Sequence, residues 1–217
     1  MATLALPLCA NAAGGVPISS RGLILRLEDG KLVVWQWIIE YPSHKGYACF
    51  LAPLLKGFKL RDYYLKLELY VVRPYPRGGV WWPYKCNGPA VYGKSLSEVV
   101  ELRRVRGLVL INVTYWPKES RGVTVSYEGE APLTWEDGLA TLTFPLLPAD
   151  REDVYIQVPP HMELVNVTLG GGEAALKGAG QGPPYAPIGY KYYHIRVSLK
   201  APGELGVVLA KSRGGGP

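Results

Sequence analysis

The sharpest chemical pattern in the chain is GPAVYGKS at residues 88–95, which matches the phosphate-binding loop GxxxxGK[ST] letter for letter. In such a loop Gly88 and Gly93 let backbone amides close around phosphate, Lys94 reaches the terminal phosphates, and the Ser95 hydroxyl holds magnesium. The surroundings speak against that chemistry. A phosphate loop follows a buried parallel strand, whereas Gly88 follows WWPYKCN with Pro83 inside it, and Val91 and Tyr92 put bulk where small residues are needed. The apolar stretch LVLIN further on ends in Asn112, not in the aspartate that would ligate magnesium. A P-loop nucleotide hydrolase is therefore the lesser alternative, and a Gly-Pro turn ahead of a helix cap is the preferred reading.

The motif ends a loop, RPYPRGGVWWPYKCNGPAVYG at 73–93, that is crowded with aromatic, proline and glycine residues. Tyr75, Trp81, Trp82 and Tyr84 could stack on the apolar C–H faces of a sugar, so a carbohydrate-binding module is the second functional class. Buried as a plug, the same rings would pin the loop down instead. Hydrolytic patterns are missing: His44, His161 and His194 stand far apart, with no HExxH, paired CxxC or GxSxG. Asn112 and Asn166 each open an N-V-T glycosylation sequon, and Cys49 and Cys86, the one cysteine pair left if the first twelve residues are removed, are expected to form a disulfide. That removal is suggested by the short apolar run ending in Ala10-Asn11-Ala12, although no basic residues precede it. A secretory signal at 1–12 and an ordinary N-terminal strand are equally open there. An extracellular or cell-surface location is expected, with a cytoplasmic one as the alternative.

Composition narrows the class further. Of 217 residues, 48% are hydrophobic and 19% charged, enough for a core and too little charge for a disordered chain. The net charge of +6 is spread along the chain, densest at Arg103, Arg104 and Arg106, and accompanies no nucleic-acid motif, so nucleic acid is not the expected partner. No apolar run approaches the ~18 residues of a membrane span. Nineteen prolines, with few Asn, Gln, Met and Cys, suit a thermostable protein.

The elements that must carry these residues are strands. Alternation of apolar and polar side chains predicts strands within 107–116, 123–127, 139–144, 154–158, 162–169, 192–199 and 204–210, broken by Gly, Pro and Asp-Gly turns. RGLILRLE and KLVVWQWIIE around Asp29-Gly30 predict a hairpin over 21–40 with Leu23, Leu25 and Leu27 on one face, and a further long strand is expected at 60–72. Ser95 with Glu98 predicts a capped helix near 96–105, and the stretch 41–58 reads as loop. The expected fold is all-β, an antiparallel β-sandwich of jelly-roll or Ig-like type, as one domain over 13–217 with an N-terminal elaboration (13–106) and a core (107–217). The expected function is non-enzymatic: an extracellular, cell-surface or virion component acting through protein contacts or self-assembly, with a glycan as the other partner class and no implied cofactor or metal.

Overall fold

The computed structural model describes residues 18–40, 48–67, 100–113, 120–183 and 186–212, all of them in strands and their connections. The expected signal segment at 1–12, the aromatic loop, GPAVYGKS, His44 and the Cys49–Cys86 pair lie outside the described residues, Cys49 contributing only its backbone to a strand. Fourteen strands form among the described residues, in order: β1 (Ile18–Glu28), β2 (Lys31–Glu40), β3 (Ala48–Pro53), β4 (Lys59–Leu67), β5 (Val100–Val105), β6 (Leu108–Val113) and β7 (Ser120–Glu130). They continue as β8 (Thr134–Glu136), β9 (Leu139–Leu146), β10 (Ala149–Val158), β11 (Met162–Leu169), β12 (Gly172–Gln181), β13 (Lys191–Leu199) and β14 (Gly203–Lys211). No described residue is helical.

Three turns of the same kind organise the hairpins. Asp29-Gly30, Arg106-Gly107 and Asp137-Gly138 all take positive φ at both positions (48° and 76°, 46° and 80°, 48° and 78°), the two-residue turn whose twist matches that of the flanking strands. The second of these overturns the expected helix at 96–105, because its described part, Val100–Val105, is strand β5, paired residue for residue with β6. Helical propensity in VELRRV is local and weak, whereas the Arg106-Gly107 turn folds the segment back on LVLINV and satisfies its backbone in a ladder. Likewise, part of the stretch read as loop is strand β3, which pairs with the other side of β6.

The strands make a seven-stranded sheet in the order β12-β13-β10-β1-β2-β7-β4, a four-stranded sheet β11-β14-β9-β8, and a three-stranded sheet β3-β6-β5. Among the described residues all pairings are antiparallel except one: β1 runs parallel to β10, with Leu23 beside Val154 and Leu25 beside Ile156. The large sheet is therefore mixed, contrary to the purely antiparallel expectation, and β1 and β2 of the N-terminal half lie inside it beside strands of the C-terminal half.

Period-two alternation decides what each face does. Leu23, Leu25 and Leu27 line the inner face as the sequence indicates, joined by Val34, Val154, Ile156 and Ile195. These form one buried cluster with Leu142 and Phe144 of β9, Leu205 and Val207 of β14, and Phe50, Val109 and Ile111 of the three-stranded sheet. One apolar core thus holds all three sheets together. Among polar groups inside it, Gln36 donates from Nε2 to the Leu51 carbonyl at 3.1 Å and accepts from the Tyr127 hydroxyl at 3.2 Å, tying the large sheet to β3. Both side chains are buried, so these bonds answer a desolvation cost that would otherwise stand alone.

Candidate functional site

The opposite face of the large sheet carries a different chemistry. Register places Arg196 and His194 of β13 beside Asp153 and Tyr155 of β10, these beside Gly22 and Ile24 of β1, and these in turn beside Trp37 and Trp35 of β2. Ile24, Trp35, Trp37, Tyr155, Tyr192 and His194 all remain partly exposed, in contrast to the sealed leucines behind them.

Contacts within this face hold the rings in place. His194 lays its ring on Tyr155 at 4.6 Å between centroids and 6° between planes, and Tyr155 in turn approaches Trp37 at 6.4 Å. The Trp37 indole covers Gly22, where a β-carbon would collide with the ring, so the absence of a side chain in β1 is what seats the indole. Arg26 stacks its guanidinium 4.5 Å over Trp35 while its Nε donates to Gln157 Oε1 at 2.7 Å. Burial pulls the Arg26 guanidinium below its ordinary value, opposed by the charge of Glu28, and it remains the cation of the pair.

Asp153 is the electrostatic centre of the face. Its Oδ1 lies 2.9 Å from His194 Nε2 and accepts from Arg196 Nε at 3.1 Å, and Arg151 stands 3.6 Å from Oδ2. Partial burial alone would raise the carboxyl, but the hydrogen bonds from His194 and Arg196 and the charges of Arg196 and Arg151 outweigh it and hold the group below the ordinary carboxylate range. His194 thus spends Nε2 on a carboxylate and its ring face on a tyrosine, and among the described residues no serine, threonine or cysteine hydrogen-bonds to it. The contacts given for this face among the described residues are ring stacking and ion pairs.

A second polar feature is buried where β1 and β10 begin to run together. Glu152 is 5% exposed and lines a cleft with Arg21, Gln36, Trp37, Phe50 and Leu51. Burial pushes its carboxyl up to about 7, with Arg21 drawing it down and Asp153 adding to the rise. Arg21 itself donates to the Pro148 carbonyl at 3.0 Å.

Other residues marked in the sequence are dispersed. Asn166 is exposed on edge strand β11, whereas Asn112 is half-buried in the central strand β6, between Cys49 and Glu101. His161 is exposed in the turn before β11, its carbonyl accepting from the Ser212 amide at 2.7 Å. No group of His, Cys, Asp and Glu among the described residues could hold a metal ion, and no helix among them is long and apolar enough to cross a membrane. The aromatic face itself escaped the sequence reading. Its signal was present in the alternate positions of VVWQW, VYIQV and YYHIR, but only the parallel pairing of β1 with β10 brings those three strands together.

No family model matches this sequence, and no curated protein matches it. Among solved structures the chain is similar to the aminopeptidase A of Legionella pneumophila, crystallised in complex with aspartic acid, at 10% identity and a TM-score of 0.38. The match covers 88% of this chain and 21% of that one, so the chain spans about a fifth of that enzyme's length.

Proposed function

We propose that the chain is a non-enzymatic β-sandwich domain of an extracellular, cell-surface or virion structure and works through protein contacts, with the outer face of the large sheet as the contact surface. The seven-stranded sheet would be one layer and the two smaller sheets the other, a reading supported by the core they share. The observation that carries the functional reading is the makeup of the outer face: Trp35, Trp37, Tyr155, Tyr192, Arg26 and Arg196, partly exposed and braced by one another. Tryptophan, tyrosine and arginine supply most of the energy at protein interfaces, because they bury large rigid area and carry a polar tip.

A photo-crosslinking residue at Tyr155, expressed in the organism that makes the protein, tests this reading. It should yield a discrete adduct that the same probe at Thr143, exposed on β9, does not yield. Equal labelling from both sites, or none from Tyr155, would overturn it. Mass spectrometry of native material checks the export part: a chain starting near Ala13 with glycan on Asn166 is expected, and an intact Met1 with both sequons bare would count against it. Carbohydrate binding is the second reading, favoured by the flat Trp37 ring over Gly22. It predicts that Trp37→Ala abolishes retention on a glycan panel, and no retention of the unaltered protein removes it.

A further inference from the structure

Among the described residues the large sheet ends in β12 on one side and β4 on the other, and β12 pairs with β13 alone. Every residue from Gly172 to Ala179 is exposed, and Leu176 stands 60% exposed. Among the described residues no strand pairs with the other side of this ten-residue strand, so there its amides and carbonyls face outward, available to an extended chain. Its sequence, GEAALKGAGQ, is mostly glycine and alanine, residues with little intrinsic preference for strands but small enough to let another backbone approach.

Only two charges lie on the strand, Glu173 and Lys177, and they are symmetric about Ala175. If β12 pairs antiparallel with β12 of a second copy about a twofold axis at Ala175, Glu173 of each copy faces Lys177 of the other, and Leu176 faces Ala174. Sliding the centre to residue 173 or 177 sets like charges opposite each other, and an in-register parallel pairing does so at both positions. A lysine and a bulge, both found here at 176–178, ordinarily deter edge pairing. Glu173 converts the lysine from a deterrent into a key for one register. Among the other edges, β11 carries Glu163 with no cation, whereas β4 (Asp62 and Lys66 about Tyr64) and β5 (Glu101 and Arg103 about Leu102) also hold a symmetric pair of opposite charges; β12 is set apart from β5 and β11 by its ten-residue length, its near-continuous exposure and its small side chains.

We infer that β12 is a self-complementary edge through which two copies of this chain join their large sheets into one. This contact lies beyond the outer-face reading, shares no residue with it, and stands or falls separately.

Sedimentation equilibrium of the full chain, with Lys177→Glu, Glu173→Lys and an equimolar mixture of the two, tests it. Both positions are exposed, so the variants keep the fold, which circular dichroism verifies. The unaltered chain should dimerise, each single variant should self-associate about tenfold or more weakly, and the mixture should recover the dimer as a heterodimer, because each strand then meets the opposite charge. A monomer at every concentration, a dimer indifferent to the single variants, or a mixture that fails to recover would each overturn the inference.

Discussion

Glu152 shows how a single carboxyl can set the pH response of a fold. Its folded value near 7 lies above the ordinary 4.5, because burial disfavours the charge more than Arg21 favours it. The folded chain therefore holds this proton more tightly than the unfolded chain. The resulting stabilisation is complete below about pH 4.5 and is lost as pH rises through 7. Asp153 works in the opposite sense: its lowered value contributes stability that is lost only as pH falls through that value, on the acid side of the ordinary carboxylate range. Glu152→Gln, which keeps the shape of the neutral acid, should raise stability at pH 8 by roughly 1 to 3 kcal/mol and remove the fall between pH 5 and 8, as read by urea denaturation. A pH dependence unchanged in the variant would show that the carboxyl is neutralised some other way. Little of this was legible beforehand, since ADREDV reads as a charged strand start and only register reveals that Glu152, two residues before Val154, faces inward.

At the scale of elements, turns were the most legible feature and weak strands the least. Asp-Gly announces a two-residue turn, because aspartate tolerates and glycine prefers positive φ, and the hairpins at Asp29-Gly30 and Asp137-Gly138 form there. Arg106-Gly107 adopts the same geometry without the same chemistry, with arginine held at a φ of 46°. An arginine in the place where aspartate or asparagine marks such a turn concealed the β5–β6 hairpin. Replacing Arg106 with Asn, which enters this region at lower cost, should stabilise the protein by about 0.5 to 1 kcal/mol in denaturant titrations. No gain would mean that the arginine makes a compensating contact. β12 was missed for a related reason: its glycines and alanines lack the apolar alternation by which strands are recognised, so pairing to β13 alone makes it a strand.

For the whole molecule, composition and alternation indicated an all-β chain, but the order of strands lies in contacts between residues far apart in sequence. All three sheets draw on one buried cluster, which predicts a single cooperative unfolding transition. Far-ultraviolet circular dichroism and tryptophan fluorescence should follow coincident curves, and two resolved steps would divide the chain into independent units.

The parallel pairing of β1 with β10 also constrains how the molecule comes into being. Arg26 and Gln157, bonded across that pair, are 131 residues apart, so a chain leaving the ribosome carries the β1–β2 hairpin with the β1 edge unpaired until β10 has been made. Leu23, Leu25 and Leu27 meet Val154, Ile156 and Val158 only after β10 has emerged. Such distant closure slows folding, and until it happens the nascent hairpin presents an open, apolar-faced edge of the kind that invites pairing with other chains.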